Sequence, residues 1–140
     1  MPDKLIDTNI LVYAYDTSEG MKHEAAKQLL KGIWEDGGGV VCVQNLMEFF
    51  VVITKKVEIP IPVTVAKTII EDISKSDSWK VIDRDINTFL YAIDLVERYN
   101  IHLWDATIVA SMKENEVSRI VTENTKDFEK VPDIYVTFPT

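Results

Sequence analysis

The sequence contains one cysteine, five prolines and five glycines in 140 residues. A single cysteine excludes a disulfide framework and favours a reducing compartment, so we expect a cytoplasmic protein with Cys42 as a small buried hydrophobe. Long apolar runs are missing as well. Residues 49–53 are all apolar, but a membrane-spanning helix needs about 20 such residues. The first residues lack the basic and apolar segments of a secretory signal, so we expect no association with a membrane.

Positive charge is also scarce, because the chain has 15 basic and 23 acidic residues and a net charge of −8. This charge is unfavourable for a protein that binds nucleic acid through a broad basic surface. It is compatible with an enzyme that meets nucleic acid through metal ions, and with a protein that binds a basic partner. With 46% apolar residues the composition is that of a folded globular protein, and the length predicts that residues 1–140 form a single domain.

Short apolar segments alternate with segments of helical periodicity along the chain. The pattern predicts strands at residues 4–7, 40–43, 80–82, 119–122 and 135–138. It predicts helices at residues 8–15, 23–35, 45–56, 64–74, 85–99 and 104–115. This alternation is typical of a three-layer α/β/α sandwich with a central, mainly parallel sheet, here of four or five strands. In open sheets of this kind, sites form outside the carboxyl ends of the strands.

Three acidic residues lie in apolar surroundings, namely Asp7, Glu48 and Asp105. Asp105 begins a helical stripe that continues with apolar residues at i+3, i+4 and i+7. A buried carboxylate without a partner costs several kcal/mol, and the same segments offer no obvious lysine or arginine. A divalent cation is the simplest partner, since Mg²⁺ and Mn²⁺ prefer oxygen ligands. We therefore expect these three acids to be metal ligands and catalytic residues, with Glu48 binding directly or through a water.

Two of the three acids also have a structural interpretation. Asp7 and Asp105 each stand near the start of a predicted helix, where a carboxylate can cap the free backbone N–H groups. Glu48 has no such alternative, because it lies in the middle of a predicted helix with apolar residues on both sides.

Four segments resemble, in order and spacing, the motifs of PIN domains: residues 5–11 (LIDTNIL), 45–49 (NLMEF), 103–110 (LWDATIVA) and 120–128 (IVTENTKDF). The length is similar to that of the VapC toxins of bacterial and archaeal toxin–antitoxin pairs. The resemblance implies a PIN-like fold and an endoribonuclease that depends on Mg²⁺, for which Mn²⁺ can substitute. It also implies a homodimer that a small antitoxin protein holds inactive.

The resemblance also extends to auxiliary residues. Thr8, Asn9 and Thr122 resemble polar helpers of the family that orient carboxylates or water. Asn124 stands where many PIN domains carry an acid, and its amide oxygen can bind a metal without adding charge. Asp127 can act through a water, or can be a cap or turn residue, and the neighbouring Glu123 is expected to face solvent.

Other functions remain open at this stage. A PIN nuclease in RNA processing would carry the same motifs as a toxin. A non-catalytic PIN scaffold that binds RNA or protein is a further alternative, because Asn124 departs from the acidic pattern. A phosphatase with an aspartyl nucleophile would have a second aspartate two residues after Asp7, where this chain has Asn9. His23 and His102 lie in no motif, so we expect ordinary packing or surface roles for both.

Overall fold

Five short strands form one parallel sheet in the computed structural model, which describes residues 2–138. The strands are β1 (Lys4–Ile6), β2 (Gly39–Cys42), β3 (Trp79–Ile82), β4 (Arg119–Val121) and β5 (Tyr135–Thr137). Their order is β3-β2-β1-β4-β5, and each neighbouring pair is parallel. The sheet has the predicted parallel pairing and five strands.

Six helices cover the two faces of the sheet. They are α1 (Thr8–Tyr15), α2 (Met21–Asp36), α3 (Val43–Lys55), α4 (Val63–Lys75), α5 (Ile86–Tyr99) and α6 (Leu103–Glu114). Single 3₁₀ turns follow α1, at Thr17–Glu19, and β4, at Phe128–Lys130. The predicted three-layer α/β/α arrangement is therefore confirmed.

Two apolar cores lie on opposite faces of the sheet. Neighbouring residues of one strand point to opposite faces, so Leu5 joins the core beneath α5 and α6, whereas Ile6 joins the core beneath α1 to α4. Both residues are fully buried. Strand β2 is buried along its whole length, and its sequence, GVVC, is a continuous apolar run, as expected of a strand covered on both faces.

Two predicted helix starts differ from the structure by two residues, and the others by at most one. Helix α2 begins at Met21, two residues earlier than predicted, directly after Gly20, whose φ of 58° suits glycine. Helix α3 begins at Val43, which was predicted to end strand β2. The reason is local: the Asn45 side-chain oxygen accepts the backbone N–H of Cys42 at 3.0 Å. This bond turns the chain directly from strand into helix, without a loop.

The expectations drawn from composition can be compared with the described residues. Cys42 is buried, and burial raises the pKa of its thiol to about 12, so it stays protonated and packs as a small hydrophobe, as predicted. Between residues 2 and 138, none of the helices is both long and apolar enough to cross a membrane.

Gly39 allows close packing of strand β2 against helix α2 and strand β3. A Cβ atom added at this position would lie 2.6 Å from Ile33 Cγ2 and 2.6 Å from Trp79 Cε3. Both neighbours are buried, and the indole of Trp79 also packs edge-on against Trp34 with ring centroids 5.9 Å apart. Neither side chain can therefore move away without disturbing the core.

We predict that Gly39→Ala lowers the free energy of unfolding by about 1–3 kcal/mol, because the added methyl group overpacks this contact. Urea denaturation followed by circular dichroism measures the change. Gly32→Ala is the matched control: Gly32 lies within α2, and a Cβ there meets no atom within 4 Å. That substitution should stabilise the protein by about 0.5–1 kcal/mol. Equal stability of Gly39→Ala and the wild type would contradict the packing argument.

Candidate metal and active site

A cleft of about 590 Å³ opens at the carboxyl ends of the central strands. Asp7 follows β1, Asn124 follows β4, Glu48 comes from α3, and Asp105 comes from the first turn of α6. All four line this cleft, which we call the acidic cleft. Because parallel strands end at the same edge of the sheet, residues that are far apart in sequence meet here.

Asp7 is buried at the end of the central strand, with only 9% of its surface exposed. It is the N-cap residue of α1, and its Oδ1 accepts the backbone N–H of Thr8 at 2.8 Å. Its Oδ2 accepts the hydroxyl of Thr122 at 2.7 Å. Asp7 therefore combines the capping role with a position in the cleft, so the two interpretations of this residue are compatible.

Asn45 is a buried site residue that the sequence reasoning missed. Its Nδ2 donates to Asp7 Oδ1 at 3.3 Å and to Thr8 Oγ1 at 3.1 Å, while its oxygen accepts the backbone N–H of Cys42. The side chain is fully buried, so each of these bonds forms away from water. The available signal was an amide two residues after the predicted apolar strand and three residues before Glu48.

The auxiliary residues Asn9, Thr122 and Asn124 order the loop that follows β4. Thr122 Oγ1 accepts the backbone N–H of Asn124 at 3.1 Å while it donates to Asp7. Asn9 Oδ1 accepts the backbone N–H of Glu123 at 3.2 Å. Asn124 itself is exposed and lines the cleft. These contacts fix the course of residues 122–124 relative to α1.

Glu123 does not face solvent as expected. Its Oε1 accepts the hydroxyl of Tyr13 at 2.9 Å, and its Oε2 lies 3.1 Å from Lys22 Nζ. The Lys22 ammonium also lies 5.2 Å from the centre of the Tyr13 ring. The expectation was wrong because the residue is half-buried between α1 and α2, and the sequence does not indicate how close those helices come to the loop after β4.

Glu48 lies on the exposed face of α3, so the expectation that its apolar neighbours bury it is wrong. Two of those neighbours are themselves exposed, Met47 at 63% and Val51 at 44%. Glu48 Oε1 accepts the side-chain amide of Gln44 at 3.0 Å. The carboxylate therefore reaches the acidic cleft from its solvent side, where the helix is open.

Asp105 is half-buried, and it lies beside a buried carboxylate, Asp127. Asp127 Oδ2 accepts the backbone N–H of His102 at 2.9 Å and lies 2.7 Å from His102 Nδ1. His102 is the N-cap residue of α6, so Asp127 anchors the start of the helix that carries Asp105. Asp105 is therefore not the N-cap of α6. His102 is the N-cap and binds Asp127, a more specific role than the packing or surface role expected for it.

Carboxylates within the cleft disfavour one another's charge. Burial raises the pKa of Asp7. Hydrogen bonds from Thr122 and Thr8 oppose this shift, and the charge of Glu48 adds to it. Burial, followed by the neighbouring carboxylates of Asp127 and Asp7, also raises the pKa of Asp105. For Asp127, burial acts to raise the pKa, but the hydrogen bonds from His102 outweigh it and lower the pKa. Positively charged neighbours therefore do not offset the cost of ionising Asp7 and Asp105.

The donor set fits a divalent cation. Among residues 2–138, six carboxylates line the acidic cleft but only one ammonium group, that of Lys56. Carboxylate and amide oxygens are the ligands that Mg²⁺ and Mn²⁺ prefer. Within the same residues, one set of three side chains has potential ligand atoms all within 4.8 Å of one another, and it consists of His102, Asp105 and Asp127. Asp7, Glu48 and Asp105 share the cleft but do not form such a set.

We predict that Asn45→Ala lowers the free energy of unfolding by about 1–3 kcal/mol, because it leaves the buried Cys42 N–H without its acceptor. Urea denaturation measures the loss. Asn87→Ala, which truncates an exposed asparagine near the start of α5, is the control and should change stability by no more than about 0.5 kcal/mol. Equal effects of the two substitutions would mean that the Asn45 bonds contribute nothing.

Several solved structures are similar to this fold. A toxin–antitoxin complex from Klebsiella pneumoniae is 25% identical and has a TM-score of 0.70, covering 99% of this chain and 98% of that chain. The DNA-bound VapBC of Salmonella typhimurium is 16% identical with a TM-score of 0.69, covering all of both chains. VapC20 of Mycobacterium tuberculosis, a sarcin–ricin loop cleaving toxin, is 14% identical with a TM-score of 0.68, covering 89% of this chain and 92% of its own.

The sequence comparisons give two results. No curated protein matches the chain. The family model of the PIN domain matches residues 4–134, which is nearly the whole sequence and includes all four motifs. The chain therefore belongs to the PIN domain family.

Proposed function

We propose that residues 1–140 form a single PIN-like nuclease domain that hydrolyses phosphodiester bonds of RNA as a metal-dependent endoribonuclease. The observation that carries the proposal is the acidic cleft, in which Asp7, Glu48 and Asp105 line one cavity at the carboxyl edge of the sheet. Asp7 is held there by hydrogen bonds from three separate elements, α1, α3 and the loop after β4. Such rigid support is typical of a site that must keep a fixed geometry.

Asp7 and Asp105 would hold the cation, with Glu48 binding directly or through a water. A divalent cation supplies Lewis-acid chemistry, because it lowers the pKa of a coordinated water and neutralises charge that develops on phosphoryl oxygens. Thr122 and Asn45 orient the Asp7 carboxylate through their hydrogen bonds. The surplus of carboxylates also repels a bare phosphate. Substrate binding in this cleft therefore depends on the cation, Mg²⁺ or, in its place, Mn²⁺.

RNA is the proposed substrate because of the activities of proteins with a similar fold. VapC20 of Mycobacterium tuberculosis is a sarcin–ricin loop cleaving toxin, the Klebsiella pneumoniae structure is a toxin–antitoxin complex, and the Salmonella typhimurium structure is a VapBC complex. We infer that this chain is the toxin of a VapBC-type pair, that a small antitoxin binds it, and that it acts in the cytoplasm. A PIN nuclease in RNA processing would use the same cleft, and a non-catalytic scaffold would leave RNA intact.

An exposed apolar stripe on α5 supports the proposed homodimer. Ile86, Phe89, Leu90 and Ile93 are exposed at 65%, 41%, 53% and 44%, and they follow the i, i+3, i+4, i+7 spacing of one helical face. A contiguous exposed apolar surface of this kind is typical of a protein–protein interface.

We predict that the purified chain cleaves single-stranded RNA with Mg²⁺ or Mn²⁺, and that EDTA stops the reaction. Asp7→Asn and Asp105→Asn should each lower the rate by about 100-fold or more, because each removes a charge that holds the cation. Denaturing gel analysis of total RNA and of a labelled oligonucleotide measures cleavage. Calorimetric titration with Mn²⁺ measures metal binding in the same variants.

Asp94→Asn is the control, since Asp94 is an exposed carboxylate on α5 outside the cleft. It should cleave as the wild type does. Metal-dependent cleavage that survives in both Asp7→Asn and Asp105→Asn would show that the site is elsewhere. An intact RNA pool with every metal, together with normal RNA binding, would instead favour the non-catalytic scaffold.

A further inference from the structure

A second groove adjoins the acidic cleft on the side of α6. It encloses about 390 Å³ and is lined by Gln44, Met47, Glu48, Arg84 and Trp104. Three of these residues, Gln44, Glu48 and Trp104, also line the acidic cleft, so the two spaces are adjacent. We call this second space the Trp104 groove.

Trp104 exposes a large aromatic surface next to a proposed metal ligand. Its side chain is 63% exposed, and it directly precedes Asp105 in the first turn of α6. A tryptophan is usually much more buried in a folded chain, so packing within the protein does not account for it. An exposed indole face is a surface on which any nucleic-acid base can stack.

Arg84 supplies positive charge at the far side of the same groove. It follows β3, and its backbone N–H bonds to Asp83 Oδ1 at 2.8 Å. Its guanidinium donates from Nη1 to Gln44 Oε1 at 2.9 Å. Among residues 2–138, no carboxylate lies within 4.0 Å of this guanidinium. The remaining N–H groups of its planar fork are therefore available for a phosphate, which they match in geometry.

Gln44 connects this cation to the acidic cleft. Its oxygen accepts from Arg84, and its amide nitrogen donates to Glu48 Oε1 at 3.0 Å. The amide thus keeps the guanidinium apart from the carboxylate while holding both in position. Arg84 therefore forms no ion pair with Glu48, and its charge is available to a ligand.

We propose that the Trp104 groove binds a nucleotide of single-stranded RNA next to the cleaved phosphodiester, with its base stacked on Trp104 and a phosphate on Arg84. This inference rests on the proposed function. The three shared lining residues place the groove beside the acidic cleft, within reach of a strand bound there, and Arg84 provides the charge complementary to a phosphate. A purely apolar partner would gain more from the α5 stripe, whose four exposed side chains are all apolar.

The test measures binding of a fluorescein-labelled single-stranded RNA of about eight nucleotides, a usual site length, by anisotropy. The parent protein keeps Asp7, Glu48 and Asp105, because the proposed RNA binding depends on the cation they hold. Phosphorothioate linkages in the RNA slow cleavage, and Mg²⁺ is present throughout. Trp104→Ala should raise Kd by about 5- to 100-fold, the usual effect of losing one stacked base. Trp104→Tyr should recover most of the affinity, because it restores an aromatic face. Arg84→Gln should weaken binding and lower the slope of log Kd against log salt by about 0.7, as for one lost phosphate contact.

Two control variants match the changes in surface and in charge. Tyr135→Ala removes an aromatic side chain of nearly equal exposure, 62%, from the edge strand β5. Arg98→Gln removes an exposed arginine near the end of α5, outside both the acidic cleft and the Trp104 groove. Both should bind RNA as the parent does. Quenching of tryptophan fluorescence by the RNA should disappear in Trp104→Ala and persist in both controls.

The outcomes separate this inference from the proposed function. If the wild type cleaves RNA but Trp104→Ala and Arg84→Gln bind it like their controls, the groove proposal is overturned and the nuclease proposal stands. If the wild type neither binds nor cleaves RNA, both fall. If the two substitutions leave RNA binding intact but change the mass measured by light scattering, the groove is a protein interface, which also overturns the proposal.

Discussion

The buried carboxylate of Asp7 is the constraint on which the acidic cleft depends. It stands at the end of β1, the central strand, and receives hydrogen bonds from Thr8, Thr122 and Asn45. These bonds join α1, α3 and the loop after β4 around a single side chain. They do not fully offset the cost of burial, because the pKa of Asp7 is still raised. The fold therefore supports a carboxylate that is stabilised further only when a cation approaches it.

A second, independent support acts on the opposite wall of the cleft. Asp127 binds the backbone and the ring of His102, and thereby anchors the start of α6 close to Asp105. Asp127 remains ionised because of those bonds, and its charge in turn disfavours ionisation of Asp105. The two sides of the cleft are thus supported differently. Neutral donors surround Asp7, whereas a carboxylate–histidine pair lies beside Asp105. In both cases, positively charged neighbours do not offset the cost of ionising the carboxyl group.

The sequence predicts the layers and the order of elements well, because strands covered on both faces must be apolar throughout. It predicts local detail less well. Val43 belongs to a helix because of a side-chain bond from Asn45, which apolar patterning does not register. Glu48 was expected to be buried, but α3 carries apolar residues on its buried face and on its exposed face. The apolar neighbours of Glu48 therefore did not show which face it lies on. The link between His102 and Asp127 joins residues 25 apart, a contact that only the fold creates.

Charge explains how an acidic protein can accept a polyanionic substrate. In the proposed function, the acidic cleft repels phosphate until a cation occupies it, so affinity for RNA would be confined to the metal-loaded state. Within residues 2–138, the cationic side chains that line these spaces are Lys56 in the acidic cleft and Arg84 in the adjoining groove. An RNA strand would therefore meet favourable charge beside the carboxylates. A broad basic surface is unnecessary for such a strand, which reconciles the net charge of −8 with a nuclease.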